Sequence, residues 1–133
     1  DSELKNIWQL VKGLSKPETL LILGTGTNST KTTIEKTQKA TAWKADAALV
    51  VVPYYNKPPQ RGLFQHFKKV AEDTGASILL YNVPGRTACQ LSVETTIELS
   101  HVPGIIGIKD ATGDMTIAEN IKAKCRQGFS LLS

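Results

Sequence analysis

The sequence predicts an α/β fold in which right-handed βαβ crossovers build a parallel sheet. Three observations carry this. Short apolar runs stand at 19–23 (TLLIL), 47–52 (AALVVV), 77–80 (SILL), 104–108 (GIIGI) and 129–132 (FSLL). They lack polar alternation, as strands covered on both faces do. Their starts are separated by 28, 30, 27 and 25 residues, the length that one strand and one crossover helix consume. The segments between them carry helical periodicity.

Each element has a local reason. Leu4, Ile7, Trp8 and Val11 form the apolar stripe of a first helix. After the first run, "GTGTNSTK" at 24–31 reads as a strand-to-helix turn. Beyond the second run, Pro59 suits a first helical turn, and Leu63, Phe64, Phe67, Val70 and Ala71 supply a buried stripe. Gly75 suits its C-terminal stop. Asp114 can cap a helix carrying Ile117, Ile121 and Cys125, ending near Gly128. Helices and strands therefore alternate from end to end. No Pro/Gly/Ser linker interrupts them, so residues 1–133 read as one domain. The first residue is not methionine, and we expect a domain truncated at both ends. Crossovers of this kind build either an open doubly wound sheet or a closed barrel, and both place function at the carboxyl ends of the strands. A closed eight-stranded barrel takes roughly 250 residues. Five strands are a segment of one, or a small open sheet.

Composition excludes several classes. Apolar residues are 41% and charged residues 21%, a globular balance and not a disordered one. No run approaches the ~20 apolar residues of a membrane span, and the start lacks the apolar core of a signal peptide. A cytoplasmic protein is expected. The net charge of +4 is scattered, without a basic run that would track nucleic acid. Cys89 and Cys125 have no metal spacing and read as reduced thiols. His66 and His101 are isolated, so no zinc site is expected.

Candidate chemistry gathers at the run ends. The turn with Gly24 and Gly26 could cradle a phosphate, but the dinucleotide fingerprint needs a third glycine where Ser29 stands. A small nucleotide-binding module stays open on that turn. "VVVPYYNKPP" at 50–59 ends a strand with Tyr54 and Tyr55, which are either packing aromatics or site residues. "LLYNVPGRT" at 79–87 ends the next with Tyr81, followed by Arg86, a surface cation or a bidentate carboxylate clamp. "GIIGIKDAT" at 104–112 drives an apolar strand into Lys109. That lysine either exits to solvent or is a reagent. By strand alternation it shares a face with Gly107 and Ile105. Walling an amine off from water favours the neutral form that attacks carbonyls. Three reactive side chains ending consecutive strands at one rim favour a single site.

"PYYNKP", "YNVPGRT" and "GIIGIKDATGD", in this order and spacing, resemble the pyruvate-dependent aldolase family typified by N-acetylneuraminate lyase, and within it the dihydrodipicolinate synthases. The resemblance covers essentially the whole chain and about the middle of the family's barrel. It implies a TIM (β/α)8 barrel of which this chain supplies about strands three to seven. It implies a lyase of lysine and diaminopimelate biosynthesis that condenses pyruvate with aspartate semialdehyde, needs no metal or organic cofactor, and works as a homo-oligomer. Lys109 would form the Schiff base, and Tyr81 would relay protons over the substrate. Tyr55 would reach into a neighbouring subunit's site, and Arg86 would hold the aldehyde's carboxylate. Asn28 and Tyr54 match parts of the site at which some members bind lysine as an inhibitor. A sibling aldolase with another aldehyde is the competing enzyme.

Departures from the family pattern matter as well. Its paired threonines after strand two have no counterpart here, so this polypeptide alone is expected to be inactive. Thr32 stands where inhibited members carry an acidic group or a histidine. Ala88 replaces a glycine usual after "RT", and Lys44 replaces one common before the following strand.

Overall fold

A computed structural model describes residues 2–133. The elements are α1 (Ser2–Leu14), β1 (Ile22–Gly24), α2 (Thr30–Ala42), β2 (Ala47–Val51), α3 (Gln60–Thr74), β3 (Ile78–Asn82), α4 (Pro84–Thr87), α5 (Val93–Ser100), β4 (Ile105–Asp110), α6 (Met115–Lys124) and β5 (Ser130–Leu132). All strand pairs are parallel, and the sheet order is β1-β2-β3-β4-β5. This order decides between the two architectures. A doubly wound sheet reverses direction at a switch point. Here every crossover steps one strand the same way, as in a barrel wall.

Local chemistry sets the helix ends. Ser29 caps α2 by accepting from Thr32 N, Ser92 caps α5 by accepting from Thr95 N, and Asp114 caps α6 by accepting from Thr116 N. Each satisfies one of the orphan amides of a first turn. Gly75 stops α3 in the left-handed conformation at φ +61°. At the end of α2, Lys44 N donates to Thr41 O and Ala45 N to Ala40 O. These two bonds make a Schellman motif with Lys44, at φ +60°, in the position that favours glycine.

The core lies between the sheet and the helices. Val50 and Val52 after β2's start, Ile78 and Leu80 of β3, and Ile105 and Ile108 of β4 pack against Leu63, Phe67 and Val70 of α3, with Leu99 and Ile121 from later helices. The register explains an unexpected member. Ile78 pairs with Ile105, but Leu79 pairs with Gly107. The extra residue, Ile106, is a β-bulge that reverses the alternation. Ile105 therefore faces the helices, fully buried, and does not share the inner face with Lys109 as strict alternation had suggested. Gly107 does face inward, but it does not clear a void. A Cβ there would lie 2.5 Å from Ser130 O and 3.0 Å from Leu79 Cδ1. The glycine lets β5 and Leu79 close in.

One helix is only partly accounted for. Of the α1 stripe, Trp8 is buried and its Nε1 donates to Trp43 O at 3.1 Å. Leu4, Ile7 and Val11 remain exposed, because no described element packs on that side of α1. The buried face of α2 is polar. Thr25 and Thr37 share a hydroxyl contact at 2.8 Å, and Thr27 and Thr33 another at 3.0 Å, so these buried hydroxyls satisfy one another. Among the described residues no helix is long and apolar enough to cross a membrane.

Candidate active site

The parallel strands deliver their carboxyl ends to one rim. Tyr81 and Lys109 are register partners on adjacent strands. Leu80 and Ile108, the residues before them, point into the helix-side core and are fully buried. Tyr81 and Lys109 therefore project from the opposite, inner face. Lys109 Nζ sits 4.8 Å from the centroid of the Tyr81 ring, within cation–π range. Both side chains are half-buried. Among the described residues no carboxylate forms an ion pair with Lys109. The isoleucine wall expected around its amine is reduced, since the bulge sends Ile105 to the other face.

The loops at this rim are tied together. Tyr55 has φ +73°, and Asn56 N donates to Tyr54 O at 2.9 Å around it. This is a γ-turn, a strained conformation for a residue with a Cβ. It throws the Tyr55 side chain outward to 88% exposure. Tyr55 N donates to Thr87 O at 3.4 Å, so this loop abuts the turn that carries Arg86. Arg86 lies in α4, its side chain exposed at the rim. Thr87 Oγ1 holds that turn by donating to Cys89 O at 2.7 Å. Ala88 takes φ +55°, a conformation in which glycine costs nothing and alanine does. The structure thus brings Lys109 and Tyr81 into contact and places the Tyr55 and Arg86 loops against each other. Tyr55 touches neither Tyr81 nor Lys109 by a hydrogen bond within the chain.

Asn28 and Tyr54 lie on adjoining loops, since Asn56 Nδ2 donates to Asn28 O at 3.0 Å. Asn28 is half-buried and Tyr54 is 41% exposed. The turn of Gly24 and Gly26 does not form a phosphate cradle. Thr25 N and Gly26 N both donate to Leu49 O, and a Cβ on Gly26 would collide with Val51 N. Gly26 is small so that the turn can lie on β2. At the start of α2 the Thr32 and Thr33 amides are taken by Ser29.

Two groups went unremarked in the sequence. Asn82 and Asp110, each one residue beyond a flagged side chain, are buried and joined by a hydrogen bond of 3.1 Å. The available signal was two polar residues closing apolar strands next to Tyr81 and Lys109. His66 is also buried. Its Nδ1 contacts Thr30 Oγ1 at 2.8 Å, its Nε2 has no partner, and burial pushes its pKa down from 6.5 to about 4. It borders a groove of about 630 Å³ between α2 and α3. That groove lies in the helix layer, and its two lysines and two carboxylates balance. Among the described residues no group of three or more His, Cys, Asp or Glu side chains could hold a metal ion, and both cysteines are free thiols.

Several known proteins are similar to this chain in sequence and fold. The 4-hydroxy-tetrahydrodipicolinate synthase of Bdellovibrio bacteriovorus is 47% identical over 132 residues, covering 99% of this chain and 45% of that protein. A dihydrodipicolinate synthase structure from Bacillus anthracis superposes with a TM-score of 0.92 at 42% identity, covering 98% of this chain and 44% of that one. The chloride-inhibited enzyme of Acinetobacter baumannii, solved in complex with pyruvate, superposes with a TM-score of 0.87 at 41% identity, covering 98% and 45%. This chain spans less than half the length of these relatives. Its five parallel strands form part of a TIM (β/α)8 barrel. The profile of the Dihydrodipicolinate synthetase family matches residues 2–133, and the chain belongs to that family.

Proposed function

We propose that the protein containing this chain is a lyase that condenses pyruvate with aspartate semialdehyde, a step of lysine and diaminopimelate biosynthesis, through a Schiff base on Lys109. The observation that carries this reading is the Lys109 amine beside the Tyr81 ring at the carboxyl rim of adjacent strands. The Lys109 amine attacks the ketone carbon of pyruvate and water leaves, giving an iminium. The iminium withdraws electrons, so the methyl carbon loses a proton and becomes an enamine. That carbon attacks the aldehyde. The amino group of the semialdehyde then displaces the lysine and closes the ring. Tyr81 is positioned to move protons in these steps. Arg86, on its fixed turn, suits a bidentate grip on the incoming carboxylate.

The remaining assignments rest on this reading. The three barrel strands outside this chain would complete the domain and cover the exposed side of α1, so the segment alone is inactive. The outward Tyr55 suits insertion into a neighbouring subunit, which makes the protein a homo-oligomer. The reaction belongs in the cytoplasm. Asn28 and Tyr54 would contribute to a lysine-binding pocket whose third anchor is weakened by Thr32. The test is turnover by the full-length protein. Pyruvate and aspartate semialdehyde should be consumed one for one, and Lys109→Ala should abolish this. If Arg86→Ala leaves the KM for the semialdehyde unchanged, the acceptor is a different aldehyde.

A further inference from the structure

Behind Tyr81 and Lys109, on the helix side of the sheet, lies a second layer of polar groups. Asn82 and Asp110 are register partners, as Tyr81 and Lys109 are. Asn82 is 0% exposed and Asp110 6%. The Asn82 amide is fully used. Its Nδ2 donates to Asp110 Oδ1 at 3.1 Å and to Leu91 O at 3.4 Å, and its Oδ1 accepts from Leu91 N at 3.0 Å. The other Asp110 oxygen accepts from the Thr112 hydroxyl and backbone amide. Among the described residues, Asp110 has no cationic partner.

A buried carboxylate held only by uncharged donors, here two amides and a hydroxyl, is costly. A strand pair with ladder bonds of its own does not need one. The placement gives the reason. Asn82 joins three things: the end of β3 behind Tyr81, the end of β4 behind Lys109, and Leu91, where the excursion carrying Arg86 returns. We propose that Asn82 and Asp110 are positioning residues, with Asp110 fixing Lys109 against Tyr81 and Asn82 also fixing the base of the Arg86 turn. This deepens the proposed function and rests on it. Bonds to an ionised group are roughly twice as strong as neutral ones, and a misplacement of about 1 Å at a reacting centre can cost about a hundredfold in rate. A supporting layer of this kind is what keeps a reactive amine within tolerance.

The two residues are separable by experiment in the full-length protein. The readouts are the rate of borohydride-trapped pyruvate adduct at Lys109, the KM for aspartate semialdehyde, and the melting temperature, with rates taken well below each midpoint. Asp110→Leu should slow adduct formation about tenfold and leave the KM within about twofold, because the Asn82–Leu91 tie remains. Asn82→Asp sets two carboxylates face to face. It should slow the adduct and raise the KM, each by about tenfold. Adding Asp110→Asn to Asn82→Asp remakes an N–H···O bond in the reverse direction and should recover most of the adduct rate. If Asp110→Leu does not fold, the comparison of Asn82→Asp with the exchanged pair decides. Folded single variants with wild-type adduct rate and KM, changed only in melting temperature, would overturn the proposal. So would an exchanged pair that folds yet stays as slow as Asn82→Asp. A wild-type protein that forms no adduct defeats the Schiff-base reading itself, and this inference with it.

Discussion

Replacing Lys44 by glycine should make the protein more stable, although it removes a side chain. Lys44 is the left-handed residue of the Schellman motif closing α2, at φ +60°. An L-residue pays about 1–2 kcal/mol for that conformation. Glycine does not, but its freer unfolded chain returns about 0.5–1 kcal/mol of the gain. The Lys44 side chain is exposed, and the hydrogen bonds at this residue, its N–H to Thr41 O and Lys12 Nζ to its carbonyl oxygen at 3.4 Å, involve only its backbone. Nothing else is lost. The net gain is about 0.5–1 kcal/mol, or roughly 1–4 °C in melting temperature for a domain somewhat larger than this chain. Thermal unfolding followed by circular dichroism measures it. Lys44→Ala is the control, since alanine keeps the Cβ and should gain nothing. A Lys44→Gly protein that melts at or below wild type refutes the reasoning, as does an equal gain from Lys44→Ala.

Further outcomes follow from particular contacts. Gly107→Ala should cost about 1–3 kcal/mol, read by denaturant unfolding, because its Cβ would press on Ser130 O and Leu79 and part β4 from β5. His66 has its pKa lowered from 6.5 to about 4 by burial. Between those values the unfolded chain binds more protons, so stability should fall as pH drops from 6.5 toward 4, by up to about 3 kcal/mol. In His66→Gln that part of the pH slope should vanish from the melting profile, and an unchanged slope would count against the assignment. Tyr81→Phe keeps a ring beneath Lys109 but loses the hydroxyl. Pyruvate trapping should persist while steady-state turnover drops about a hundredfold.

The spacing of the apolar runs made the crossovers legible, because a parallel sheet buries both faces and leaves no polar alternation to confuse with a hairpin. The stripe from Leu63 to Ala71, Gly75 as a stop and Asp114 as a cap were equally local and equally readable. The choice between barrel and open sheet was not, since strand order is a tertiary property. The bulge at Ile106 was hidden for the same reason: "GIIGI" is uniformly apolar, and only pairing with β3 reveals the extra residue. The α1 stripe was visible, but among the described residues only Trp8 of it is buried. At the site, Tyr81 and Lys109 stood out as polar ends of apolar strands. Asn82 and Asp110 were passed over because their significance comes from meeting across the sheet, 28 positions apart. Lys44 and Ala88 drew notice as replacements for glycine, and the left-handed backbone at both positions supplies the physical reason.

The proposed chemistry turns on the amine of Lys109. The full-length protein should be incubated with pyruvate, reduced with borohydride, digested and mapped by mass spectrometry. One reduced pyruvate adduct per chain is expected, on the peptide containing Lys109 and on no other lysine. No adduct, or an adduct on a different lysine, would contradict the account.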